Sequence, residues 1–158
     1  MADPDLTPPA ELALGDDDVV EALEVVEAAD LAVPRTSGFD GVGTRREARE
    51  RALALLFEAE QRGVEPLAAL IDELPLPPDG YAAELVVGVS DHQAELDALL
   101  AGYSERWPLE RMPAIDRALL RLGAYELLHT DVPTGAAISE AVELAKRYST
   151  DRSHEFVN

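Results

Sequence analysis

Apolar residues recur along most of this chain at helical rather than strand spacing, and they are densest over residues 113–128, PAIDRALLRLGAYELL. Ile115, Ala118, Leu119, Leu122 and Tyr125 form one apolar face. Leu120, Ala124 and Leu127 form a second, roughly opposite at about 100° of rotation per residue. A helix apolar on two sides is buried between others rather than laid on a surface. Asp116, Arg117, Arg121 and Glu126 interrupt it and need partners wherever they are buried, because an unpaired buried charge is costly. The pattern predicts an all-helical domain with this helix at its centre.

The flanking segments read the same way. Thr44-Arg45-Arg46-Glu47 fits a capping box. It opens a helix with a buried stripe of Ala48, Ala52, Leu55, Leu56 and Ala59 that runs to about Arg62, where Gly63 stops it. Pro66 opens a short helix, PLAALIDEL, and PLPPDG breaks it. Asp79 caps a single longer helix expected to reach Leu100, apolar at Leu85, Val86, Val89, Leu96, Leu99 and Leu100, with Gly88 and Ser90 as kink points. Trp107 reads as a plug between helices. Beyond His129–Pro133, Thr134 starts a helix with the stripe Ile138, Ala141, Val142, Ala145 and Tyr148 and an i, i+4 pair of Glu143 with Arg147. Asp151 or Ser153 is expected to cap a last helix beginning near HEFVN.

Composition narrows this picture. The 158 residues suit one domain of ordinary size. Hydrophobic content is 47% but aromatics only 5%, so the core is built of Leu, Ala and Val, which favours packed helices. Without cysteine there is no disulfide and no thiolate metal site, in keeping with a reducing cytoplasm. No stretch approaches the roughly 20 apolar residues of a membrane span, and the acidic, proline-bearing start is not a secretory signal. Residues 1–15 read as disordered, 17–31 as a marginal acidic helix, and 34–43 as a linker, which puts the boundary at Gly43 and the folded domain at 44–158.

The net charge of −19 argues against nucleic acid when averaged over the chain. It is unevenly spread. Residues 1–44 carry 11 acids against the single base Arg35, whereas 45–158 carry 21 acids against 12 bases. Arg45, Arg46, Arg49 and Arg51 crowd the start of the first domain helix. Two uses fit: a solvated helix start paired to Glu47 and Glu50, or a phosphate-binding edge. Phe57 lies on nearly the same arc as Arg46, where it serves either the core or base stacking beside the arginines.

Catalytic signatures are missing. His92, His129 and His154 are far apart, none at zinc-motif spacing from another ligand. Ser90-Asp91-His92 has the residue types of a hydrolase relay, but consecutive helical residues diverge by about 100° and cannot form it. Neither a Walker loop nor a GxGxxG run occurs.

Three blocks carry a family resemblance: Ile115–Leu122 (IDRALLRL) with Tyr125-Glu126-Leu127 and Val132-Pro133; Ala137–Lys146 (AISEAVELAK); and Ser153–Asn158 (SHEFVN). With the arginine-rich start, Arg45-Arg46-Glu47-Ala48-Arg49-Glu50, they resemble the bacterial transcription antitermination factor NusB family over about residues 44–158. The resemblance implies a helical bundle of two small subdomains around a shared core, a cytoplasmic setting, and no catalysis or cofactor. It implies partners as well: boxA-type RNA of the ribosomal RNA leader, the ribosomal protein NusE, and through them the RNA polymerase antitermination complex. By position, Arg45, Arg46, Arg49, Phe57, Arg121 and Phe156 match RNA-binding sites, and Asp116 a partner-binding one. Glu47 departs from the pattern where an arginine is common. So does the end at Asn158, where the family continues with Gly and an apolar turn, which implies a short last helix. The acidic extension is outside the family core; it reads as a solubilising tail or as a competitor for the arginine edge. Two other readings fit the residues: a detached accessory domain of a ribosomal RNA methyltransferase, and a helical module that binds only protein. The oligomeric state, monomer or homodimer, is left open by the sequence.

Overall fold

A computed structural model of the chain describes residues 42–158. The expected disordered start, the acidic helix over 17–31 and most of the 34–43 linker lie outside the described residues. Within them the chain forms six α-helices: α1 (Val42–Arg62), α2 (Gly80–Asp91), α3 (Gln93–Tyr103), α4 (Ala114–His129), α5 (Thr134–Tyr148) and α6 (Ser153–Val157). Two 3-10 turns, Leu67–Glu73 and Leu109–Arg111, join them. Among the described residues there is no strand, and no helix is long and apolar enough to cross a membrane.

The centre is the helix that the apolar pattern singled out. α1, α2, α3, α5 and α6 all pack on α4. α1, the first 3-10 turn and α2 group on one side, and α4, α5 and α6 on the other, with α1 and α2 both reaching α4. The two groups share one core, in which Leu55, Leu56, Leu85, Val89, Leu119 and Leu122 are almost fully buried. The four charges on α4 each find partners. Asp116 accepts from the Ser149 and Ser153 hydroxyls. Arg117 pairs with Glu60 and donates to the Met112 carbonyl. Arg121 spans Asp97 and Glu60. Glu126 holds Arg49. Among the described residues no buried side-chain polar atom is left without a hydrogen bond.

Several local expectations shift. α1 begins at Val42, so Thr44 stands inside its first turn rather than at a cap, and the helix takes the last two residues of the expected linker. It ends where expected: Gly63 takes φ 66°, its N–H donates to the Glu60 carbonyl, and the Val64 N–H reaches back to Ala59 at 2.9 Å. Asp79 caps α2 through the Ala82 N–H at 3.0 Å. The single helix expected to run to Leu100 is instead two, broken at His92, where the backbone leaves helical geometry at φ −105°, ψ 11°. The break does not fall at Gly88 or Ser90. Gly88 lets an aromatic ring approach: a Cβ there would lie 2.0 Å from the Tyr125 ring. The Ser90 hydroxyl accepts from the Ala68 N–H and so ties α2 to the first 3-10 turn.

The stripe on α5 is rotated from the predicted one. Ala137, Glu140, Leu144 and Ala145 face inward, whereas Ile138, Ala141 and Val142 are half-buried and Tyr148 is exposed. On that inward face Glu140 meets arginines of α1, beside the buried Ala137, Leu144 and Ala145. Arg147 pairs with Glu50 of α1, and Glu143 with Lys146, in place of the expected Glu143–Arg147 pair. Ser153 is the first residue of α6 and binds Asp116; neither it nor Asp151 occupies the cap, which falls to Arg152. The second apolar face of α4 is only partly covered. Leu127 and Leu128 stay exposed and, with Leu99, Ile138 and Phe156, line an open groove of about 340 Å³ between α3, α4, α5 and α6. Trp107 is half-buried and meets Phe156 edge-on at 5.0 Å.

Candidate nucleic-acid interface

The arginine-rich start of α1 divides into side chains that face the protein and side chains that face out. Arg49 falls on the buried stripe beside Ala48, Ala52 and Leu53 and is 5% exposed. Its Nε donates to both oxygens of Glu126, at 2.8 and 3.1 Å. The Tyr81 hydroxyl donates to the same carboxylate at 2.6 Å. Burial first, and then this hydrogen bond, push the Tyr81 phenol up to about 12. One turn earlier, Arg46 forms a two-pronged pair with Glu140, Nε to Oε2 at 3.0 Å and Nη2 to Oε1 at 2.7 Å, while 42% of its side chain stays exposed. The hydrogen bond from Arg46 holds the Glu140 carboxyl below its ordinary range. Arg45 is exposed, and its guanidinium lies 5.5 Å from the centre of the Tyr81 ring, within cation–π range.

Two carboxylates from α4 and α5 and one tyrosine from α2 therefore hold this edge. Glu47 faces solvent and Glu50 is taken by Arg147, so neither serves as the local partner that a solvated helix start would use. Phe57 is 38% exposed on the outer side of α1. Eleven residues separate it from Arg46, which is about 16 Å of helix rise with nearly the same direction around the axis.

The remaining expected site residues lie elsewhere. Arg121 is buried, with its fork on Asp97 at 2.7 and 2.8 Å and its third nitrogen on Glu60 at 2.9 Å. Asp116 has no exposed surface; it ties α6 to α4 through Ser149 and Ser153, which leaves nothing to offer a partner. Phe156 is 38% exposed on α6, against Trp107 and the apolar groove. The structure thus sets Arg46 and Phe57 in line along α1, leans Arg45 toward Tyr81 on the other flank of the helix, and puts Arg49 and Arg121 behind carboxylates. Tyr81, Glu126 and Glu140 were missed as supports of the edge. A signal existed for Arg49, since it falls one turn before Leu53 on the apolar stripe. None existed for Glu140, which sits among surface-patterned residues of α5.

The model of the NusB family matches residues 46–158. The transcription antitermination protein NusB of Kineococcus radiotolerans is 54% identical over 121 residues, covering 74% of this chain and 89% of that protein. A crystal structure of T. maritima NusB superposes with a TM-score of 0.64 at 38% identity, covering 72% of this chain and 84% of that one. A crystal structure of the antitermination factors NusB and NusE in complex with dsRNA superposes with a TM-score of 0.58 at 27% identity, covering 72% and 89%.

Proposed function

The chain belongs to the NusB family, and from that premise we propose that it is a non-catalytic antitermination factor that binds boxA-type ribosomal RNA leader RNA together with NusE. It acts in the cytoplasm, where the joint complex engages RNA polymerase and suppresses premature termination. The observation that carries this reading is Arg46 in line with the exposed ring of Phe57, with the exposed Arg45 at the same end of α1, on an otherwise acidic domain. Guanidinium groups supply phosphate contacts, and an exposed aromatic supplies a stacking surface for an unpaired base. Arg49, through Glu126, is a positioning residue: it fixes the face of α1 from which Arg45 and Arg46 project. Phe156 is assigned to a second contact on α6, and Arg121 is a brace between α1, α3 and α4 rather than a contact. The related complex of NusB and NusE with dsRNA supports the choice of ligands. The match over 89% of a relative named for antitermination favours this function over a detached methyltransferase domain.

Titration of a short single-stranded leader segment, with and without NusE, over a salt series tests the reading. NusE is expected to tighten binding. Changing Arg45 and Arg46 together to Ala is expected to weaken it and to flatten the salt slope by about 0.7 for each phosphate no longer neutralised. Affinity and slope equal to those of the unaltered chain would remove the basis of the proposal.

A further inference from the structure

The break between α2 and α3 assembles a group of ligands that sequence spacing hides. His92 sits at the break and His129 ends α4; their ring centroids lie 4.0 Å apart. Glu95, in the first turn of α3, puts Oε2 at 3.4 Å from His129 Nε2. One donor atom from each of the three residues lies within 4.8 Å of the others.

The tautomer of His92 is fixed by its partner. Nδ1 lies 2.8 Å from the Gly88 carbonyl oxygen. A carbonyl only accepts, so Nδ1 carries the proton, which leaves Nε2 as the nitrogen that offers a lone pair in the neutral ring. A backbone carbonyl holding the far nitrogen is the usual outer support of a metal-ligating histidine. Tyr125 packs against both imidazoles, with ring centroids at 5.8 and 5.6 Å.

We propose that His92, Glu95 and His129 bind a transition-metal dication of the zinc class, with the fourth position open to water. Two imidazoles and one carboxylate are a zinc donor set, whereas Mg²⁺ and Ca²⁺ prefer oxygen alone. Tetrahedral ligands at about 2.0–2.2 Å from the ion lie roughly 3.3–3.5 Å from one another. The Glu95–His129 distance already has that value and Glu95 is exposed, whereas the two imidazoles, with centroids 4.0 Å apart and planes at 34°, must draw apart for both lone pairs to reach one ion. The bound ion would clamp the α2–α3 junction to the end of α4.

Zinc titration of the full chain by calorimetry tests this. The expected result is one equivalent bound with Kd on the order of 1 µM, and a melting temperature raised by roughly 5–10 °C at a hundredfold excess over Kd. E95Q and H129Q, both at exposed positions, should each weaken binding at least about tenfold, one decade of Kd. H154Q should leave it intact. In a histidine ring ¹⁵N spectrum, zinc should move Nε2 of His92 and leave its Nδ1 protonated. Failure to saturate below about 1 mM, or unaltered affinity in E95Q or H129Q, would overturn the site and assign any retained zinc to acidic residues elsewhere.

Discussion

Replacing Arg49 with Ala separates the two roles of the arginine edge. In the folded domain the guanidinium is 5% exposed and its main partner, Glu126, 2%. Without it, Glu126 keeps only the Tyr81 hydroxyl as a side-chain donor. Breaking a buried pair by removing one partner costs about 3–5 kcal/mol, because the other charge stays buried. That is a large part of the roughly 5–15 kcal/mol that holds a domain together. Arg46→Ala removes an ion pair whose arginine is 42% exposed, and Glu140 keeps Arg49 at 3.9 Å. It should cost about 1 kcal/mol or less. In urea, with a slope of roughly 2 kcal/mol per molar, the Arg49→Ala midpoint should fall by about 2 M and the Arg46→Ala midpoint by no more than about 0.5 M. Removing both charges, as Arg49→Met with Glu126→Leu, should recover most of the loss, since an apolar replacement of a buried pair is often neutral or better. A fall below about 0.5 M for Arg49→Ala, or a double variant no more stable than that single one, would refute the assignment of Arg49 to the fold. RNA affinities of Arg49 variants are then to be compared only where the folded fraction is the same.

Other consequences can be checked separately. Gly88→Ala should destabilise, because overpacking against Tyr125 costs about 1–3 kcal/mol and outweighs the roughly 1 kcal/mol that Ala gains in helix propensity; in a Tyr125→Leu background the same change should become neutral or stabilising, and a rise in melting temperature with Tyr125 present would contradict the close approach. The Tyr81 phenol has its folded value raised to about 12 from 10.0, so its contribution is complete below pH 10 and is lost as pH climbs toward 12; Tyr81→Phe should remove that alkaline loss and the latest-titrating phenolate absorbance. Glu140 has its folded value lowered, so its contribution is present above the ordinary value of 4.5 and is lost as pH falls through the folded one; Glu140→Gln should flatten the stability profile below pH 4.5, and an unchanged profile would count against the Arg46 pair. Asp116→Ala should release α6, read as faster amide exchange over residues 153–157, with a cost of about 1–3 kcal/mol for the unpaired hydroxyls; protection like that of the unaltered chain would show that α6 is held by other contacts.

The helices were legible because apolar residues at 3.6-residue spacing leave few alternatives, and α4 stood out because both of its sides are apolar. The demand that Asp116, Arg117, Arg121 and Glu126 find partners also followed from the sequence, although not who the partners would be. What escaped was set by contacts between distant segments. α5 buries Glu140 rather than its most apolar stripe, and the two arginines of α1 that Glu140 meets there are remote in sequence. The break at His92 had no local mark, since Gly88, the residue that looked like a kink, makes room for a ring brought in by α4. In the candidate site, residue type pointed to the arginine edge, but only packing separates the outward Arg45 and Arg46 from the inward Arg49.

The carboxylates under the edge also bear on how quickly a polyanion arrives. Arg46 and Arg49 each sit about one hydrogen bond from a glutamate, so beyond a screening length of about 8 Å at physiological salt they act as dipoles rather than as net charges. A transcript approaching a chain of net charge −19 meets repulsion first and feels the carboxylate-paired guanidinium groups only at contact. For the function proposed here, added salt should therefore quicken encounter while shortening the lifetime of the bound state, the reverse of the usual on-rate trend for cationic RNA binders.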